Sequence, residues 1–208
     1  SGHALSSIEP DGFVPMDVGA LNHLVEADLG TEVDIREERF KHGIFAARVS
    51  SELRPSVECA VHALFPHRLV VHTHSTYVNM VSCCAGGEAL ARELWGEHVV
   101  WVPYVDPGYV LARAVREAIA GRSADAPLAV VLQNHGLFVA AGHSEEINAL
   151  TDQLVGAVRA KVGDLPSDDP VSSDDSLVSV VPPLRAASKG LATVLRSALV
   201  DAFLAHPS

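Results

Sequence analysis

The residues whose types and spacing most directly suggest chemistry are His72 and His74, which follow the apolar run at 69–71. Leu-Val-Val is typical of a buried β-strand, and a spacing of two places both imidazoles on the same face of that strand. At about 3.3 Å per residue the two Cα atoms lie roughly 6–7 Å apart, so both rings can reach one metal ion. The pair alone also fits two histidines on a half-exposed strand face, and it predicts a metal site only together with further ligands.

Two other segments contain candidate ligands. Glu58 lies in the first turn of a helix that we expect over residues 57–65, with Ser56 as its N-cap. His135 lies between two strand-like runs that together span 128–140, so it should lie at or near a strand end. Without a metal nearby, Glu58 would simply be a carboxylate that complements the helix dipole.

The elements that must position these residues alternate along the chain. Apolar residues at helical spacing predict helices, and short β-branched runs predict strands. Further helices are expected at 18–28, 76–84, 88–95, 109–120 and 144–162, and a further strand at 99–102. Residues 32–40 form a polar stretch, and 43–50 are expected to form a short strand or loop. This alternation predicts a sheet that is covered by helices on both faces.

Composition limits the classes of protein that fit. With 208 residues, of which 48% are hydrophobic and 20% charged, the chain should form one globular domain with a well-filled core. A net charge of −11 would repel a phosphate backbone and disfavours nucleic-acid partners. No apolar stretch approaches the roughly 20 residues that cross a bilayer, and no secretion signal is evident, so we expect no membrane association and a cytoplasmic protein.

Several segments, taken in order, resemble the class II aldolase/adducin family: Pro-Ser-x-Glu opening a helix, His-Thr-His ending a buried strand, Val-Pro-Tyr-x-x-Pro-Gly before a helix, and Asn-His-Gly-Leu. The resemblance implies an α/β fold, a three-layer α/β/α sandwich around a largely antiparallel sheet. It also implies a homotetramer whose active sites lie between neighbouring subunits.

The resemblance covers a domain that we place at residues 1–163. Members usually carry a Gly-rich, Asn-containing phosphate loop before the point where this chain starts, so the N-terminal part of the domain is expected to be missing. Residues 164–208 lie outside the resemblance. Their Asp, Ser and Pro content, without apolar periodicity at first, predicts an acidic linker and a C-terminal tail.

Site residues follow from the resemblance position by position. His72, His74 and His135 match the ligands of a divalent metal, most often zinc, and Glu58 matches the carboxylate that acts as acid/base beside it. Tyr104 matches a tyrosine that acts in a neighbouring subunit's site, although a loop tyrosine that packs at a subunit contact is an equally good interpretation. Some family members use phosphorylated substrates, and certain of their residues contact the phosphate. The matching residues in this chain are Ser1, Gly2 and Ser56.

These roles indicate a metal-dependent aldolase that cleaves or forms a C–C bond in a small ketose phosphate or related hydroxy-acid. A three-histidine metal with open positions can stabilise the charge of the enediolate that such cleavage leaves. The same set of residues serves epimerisation and dehydration in this superfamily, and the motifs do not distinguish these two reactions from aldol cleavage. A non-catalytic interaction module, such as the adducin head, and a metal hydrolase are further alternatives. The intact metal set favours catalysis over the interaction module.

Overall fold

A β-sheet forms the centre of the computed structural model, which describes residues 8–50 and 52–165. Within this part of the chain its four strands are β1 (Leu69–Thr73), β2 (Val99–Val102), β3 (Leu128–Leu132) and β4 (Gly136–Ala141). Their order in the sheet is β1-β4-β3-β2. Strand β4 pairs antiparallel with both β1 and β3, whereas β2 pairs parallel with β3. The sheet is therefore largely antiparallel, as expected from the resemblance.

The α-helices precede, connect and follow these strands in the chain. Among the described residues they are α1 (Val18–Glu26), α2 (Val33–Ala46), α3 (Cys59–His62), α4 (Thr76–Ser82), α5 (Gly87–Trp95), α6 (Tyr109–Ala118) and α7 (Ser144–Val162). The parallel pair β2–β3 is joined by α6, because parallel neighbours need a crossover that returns the chain to the same end of the sheet. None of the helices in the described residues has the length and apolarity that crossing a membrane requires.

Successive residues of β3 pack into two different core clusters, one on each face of the sheet. Val130 and Leu132 pack with buried residues of α1, α2, α3 and α6. Ala129 and Val131 belong to a second core cluster, which contains residues of α4, α5 and α7. Because neighbouring strand residues point to opposite faces, β3 is buried on both sides, and every one of its residues is in the core. The described part of the domain is a three-layer α/β/α arrangement.

Two local predictions are wrong in part. Residues 43–50 are predicted to be a strand or loop, but residues 43–46 form the last turn of α2, and only residues 47–50 lie outside that helix. Only Phe40 and Ile44 of that helix are buried, so its apolar spacing is too sparse to indicate a helix. The helix expected over 57–65 is the single turn α3, which begins after Glu58 rather than after Ser56.

Most of the tail predicted at 164–208 lies outside the described residues. Helix α7 ends at Val162, as the periodicity predicted, and only Asp164 and Leu165 of the predicted tail are described. The domain boundary at 163 and the nature of the tail therefore stay predictions.

Candidate metal centre

Three separated segments bring four potential ligands together. His72 lies on β1 and His74 just beyond its end, His135 lies in the turn between β3 and β4, and Glu58 precedes α3. Each residue offers one ligand atom, and these four atoms lie within 4.8 Å of one another. Antiparallel pairing of β1 with β4 causes this convergence, because it aligns the histidine end of β1 with the start of β4.

The imidazole rings face one another across a small space. The Nε2 atoms of His72 and His74 are 3.0 Å apart. The ring centroid of His135 lies 5.2 Å from that of His72 and 5.0 Å from that of His74. Such separations are compatible with three nitrogens that each lie about 2.0–2.1 Å from a common ion.

Strand β4 fixes the orientation of His72. The Nδ1 atom of His72 lies 3.0 Å from the carbonyl oxygen of Leu137, and since a carbonyl can only accept, Nδ1–H is the donor. With a cation bound, a neutral ring in this tautomer would direct the lone pair of Nε2 at the ion. The ring also stacks on Phe138, with centroids 4.1 Å apart and an interplanar angle of 19°. Both contacts hold His72 in a ligand geometry before any ion binds.

Glu58 places one carboxylate oxygen beside two of the rings. Its Oε1 lies 2.9 Å from Nε2 of His135 and 3.4 Å from Nε2 of His72. Hydrogen bonding to His72 is the main cause that lowers the pKa of Glu58 to about 2, against the opposing effect of burial. Glu58 is therefore ionised at neutral pH. Burial lowers the pKa of His135, which favours the neutral ring that a metal needs.

Gly136 lets the rings approach the turn. A Cβ atom at this position would lie 2.6 Å from Cδ2 of His74, 2.7 Å from the carbonyl oxygen of Thr73 and 3.0 Å from Cε1 of His72. Any larger residue would have to displace two candidate ligands. In the sequence, Gly136 stands out only as part of the Asn-His-Gly-Leu motif, and no local pattern indicates this steric role.

The donor set suits a divalent transition metal. Three imidazole nitrogens and one carboxylate are ligands that zinc accepts in four-coordinate sites, and displacement of the carboxylate would open a position for substrate. The four side chains are half-buried or, in the case of His74, exposed, so the site can be reached from solvent. The residues present therefore fit a bound cation.

Tyr104 lies apart from the hydrogen bonds that connect the four ligands. It is in the loop between β2 and α6, is 53% exposed, and donates from its hydroxyl to Oδ1 of Asp106 over 3.3 Å. Its backbone N–H donates to Oε1 of Gln133 over 3.0 Å. Tyr104 and His135 both line a cavity of about 220 Å³. The catalytic role of Tyr104 stays a prediction.

The predicted phosphate contacts are described only in part. The hydroxyl of Ser56 accepts a hydrogen bond from the backbone N–H of Glu58, with 3.2 Å between the atoms. This contact fixes the backbone that carries Glu58. Ser1 and Gly2 lie outside the described residues, so phosphate binding by these three residues stays a prediction.

Comparison with known proteins agrees with this geometry. The sequence profile of the Class II Aldolase and Adducin N-terminal domain matches residues 1–162. The chain belongs to this family. The class II aldolases of this family use a divalent metal, and the group formed by the three histidines and Glu58 could bind one.

Two individual proteins are similar to this chain, one in sequence and one in structure. An uncharacterized oxidoreductase of Bacillus subtilis, YuxG, is 27% identical over 164 residues, which are 79% of this chain and 23% of that protein. The chain thus spans less than a quarter of that relative. The structure of the N-terminal class II aldolase domain of a conserved protein from Thermoplasma acidophilum is 24% identical, with a TM-score of 0.65 over 78% of this chain and 72% of that one. The second likeness concerns the fold.

Proposed function

We propose that this chain is a metal-dependent aldolase domain that cleaves or forms a C–C bond in a small ketose phosphate or related hydroxy-acid. The observation that carries the proposal is the convergence of three imidazoles and one carboxylate from three segments, with all four ligand atoms within 4.8 Å of one another. Zinc is the proposed ion, because this donor set matches its preference for nitrogen ligands with one replaceable position.

The protein residues would hold the cation and move a proton. Neutral His72, His74 and His135 leave the full charge on a bound divalent ion, which supplies Lewis-acid stabilisation of negative charge on substrate oxygens. The ionised carboxylate of Glu58 would accept a proton from the carbon next to the substrate carbonyl in the direction of synthesis. Tyr104 of a neighbouring subunit would donate a proton to the aldehyde oxygen as the new bond forms. In cleavage the same two transfers run in reverse.

Other reactions of the family are the main alternatives. Epimerisation and dehydration can use the same ligands, and the geometry of the described residues does not favour one of the three. An adducin-like interaction module would not need a complete ligand set, and the set is complete here. We also propose a homo-oligomer with the site at a subunit interface, because the proposed role of Tyr104 requires a second chain. The resemblance to the family favours a tetramer.

Redox chemistry is suggested by the name of the B. subtilis relative. The match covers only 23% of that protein, so its oxidoreductase activity can reside in the other three quarters. This chain contains no Gly-x-Gly-x-x-Gly sequence, the fingerprint that places a dinucleotide pyrophosphate at a helix N-terminus. We therefore propose lyase chemistry for the matched residues.

The proposal is tested by metal content and aldehyde release in one set of proteins. Purified wild-type protein should hold about one zinc per chain, and His135→Ala should hold almost none, since loss of one of three imidazoles removes a strong ligand. His143→Ala is the matched control, because His143 is exposed and is not one of the four converging residues.

Activity is read with a panel of ketose phosphates, in which aldehyde release, epimer formation and water loss are followed separately. Aldehyde release by the wild type and by His143→Ala, and its loss in His135→Ala, would support the aldolase. A metal content far below one per chain that does not respond to His135→Ala would contradict the proposal.

A further inference from the structure

The turn that carries His135 is attached to helix α4. The side-chain Nδ2 of Asn79 donates to the carbonyl oxygen of His135 over 3.1 Å. The carbonyl oxygen of Ser82 accepts a hydrogen bond from the backbone N–H of Asn134, also over 3.1 Å. Two residues of one helix thus bind two consecutive residues of the turn.

Asn79 is itself held in position. The hydroxyl of Ser82 donates to Oδ1 of Asn79 over 3.3 Å, which leaves Nδ2 directed at His135. The side chain of Ser82 is fully buried, so water does not compete for this hydrogen bond. The orientation of the Asn79 amide is therefore set from inside the protein.

The turn contains one residue in the left-handed region of the backbone map. Asn134 has φ of +59°, a conformation that asparagine adopts more readily than most residues other than glycine. Within the turn, the backbone N–H of His135 donates to the carbonyl of Leu132 over 3.2 Å. The contacts to α4 add two hydrogen bonds on the residues nearest the metal centre, and they resist relaxation of the turn.

Helix α4 also begins directly after another ligand. Its N-cap is Ser75, the residue that follows His74, and its first residue is Thr76. The same helix thus starts at one candidate ligand and binds the backbone of another, although His74 and His135 are far apart in the sequence. Movement of α4 would change the distance between two ligands.

We propose that Asn79 and Ser82 are positioning residues for the metal centre, which set the affinity for the cation through the backbone of His135. This inference rests on the proposed metal-dependent function. Asn79 does not contact the ion and is no ligand, but an unsupported His135 turn must be ordered when the ion binds, and that ordering costs affinity. Partners of metal ligands in other proteins contribute about 10–100-fold to metal affinity.

A metal titration of the metal-free proteins tests the inference. Each protein is stripped with a chelator, and the dissociation constant for zinc is measured by competition with a chromophoric chelator at constant pH. Asn79→Ala should bind zinc about tenfold more weakly than the wild type. Ser82→Ala should show a smaller loss, because the Asn79 amide is retained but less well oriented. Asn148→Ala is the matched control, since Asn148 is an exposed asparagine on α7.

Thermal unfolding of the metal-free variants separates positioning from a general structural role. A purely structural contribution would lower the unfolding temperature of Asn79→Ala and leave the zinc affinity of the folded protein unchanged, and this result would overturn the inference. If Asn79→Ala does not fold, Ser82→Ala decides: unchanged zinc affinity would again overturn it. A wild-type protein that binds no zinc would instead refute the metal-dependent function itself, so the two failures are distinguishable.

Discussion

The side chains of the candidate metal centre are held by many contacts within one chain, whereas the side chain of Tyr104 is held by few. The ligands of the centre are tied to strands, to a tight turn and to each other, and His72 is held by both Leu137 and Phe138. Tyr104 is 53% exposed, and its hydroxyl bonds Asp106 only two residues further on. The difference teaches that the candidate metal ligands are already arranged within a single chain, whereas we propose that assembly with a neighbouring chain supplies the proton donor.

The largest effect is expected from Glu58→Gln. The amide has nearly the same shape but cannot accept the proton, so turnover should fall by about 10²–10⁴-fold. Zinc content should stay near that of the wild type, because the three imidazoles remain. Steady-state kinetics together with elemental analysis check this prediction. Wild-type turnover in a fully loaded Glu58→Gln protein would remove Glu58 from the mechanism and leave it only a place beside the ligands.

Substitution of Gly136 should disturb the arrangement of the candidate metal ligands within one chain. In Gly136→Ala the new methyl group would overlap His74 and the backbone of Thr73. We expect a loss of unfolding free energy of about 1–3 kcal/mol and weaker zinc binding, because the rings must move. Chemical denaturation and zinc competition measure the two effects.

Gly156→Ala is the control for this substitution. It adds the same methyl group to an exposed position of α7, where a Cβ would meet no atom within 4 Å. Its stability should rise by up to about 1 kcal/mol, since alanine is the better helix former, and its zinc affinity should not change. If Gly136→Ala behaved like Gly156→Ala, the close packing of the turn against the histidines would have no role in the site.

Whether a neighbouring chain supplies Tyr104 to the site can be tested by mixing two inactive variants. Glu58→Gln and Tyr104→Phe are unfolded together, refolded as mixed oligomers and assayed. If one chain supplies Glu58 and its neighbour Tyr104, random mixing creates some intact sites, and activity should recover to about a quarter of the wild-type value. Separately refolded variants are the control. No recovery in proven mixed oligomers would place both residues in the same chain's site.

The parts of the site that could be predicted from the sequence are those with a local signal. The spacing of two predicts the common face of His72 and His74, and the alternation of helices and strands predicts the layers. No local pattern connects Glu58 or His135 to that strand, and only the resemblance to the family brought them together. Their meeting depends on the β1–β4 pairing, which a single sequence does not display.

Other features could not be predicted because they depend on contacts between distant residues. Asn79 has the appearance of an ordinary polar helix residue, and its bond to His135 exists only in the folded chain. The steric need for Gly136 likewise arises from rings on another strand. Helix α2 was missed because neighbouring helices, rather than its own periodicity, bury the few apolar side chains that it has.

The pairing of His72 opposite Phe138 has a consequence for the energetics of the whole domain. The rings of His72 and His135 come together only when two strands that are distant in sequence have joined in the correct register, so the unfolded chain offers no comparable chelate. An ion held there would bind the native state more tightly than the unfolded chain, and it would shift the folding equilibrium toward the native state as its free concentration rises above its dissociation constant. Under the proposed metal-dependent function, the supply of metal would therefore influence how much of the protein is folded.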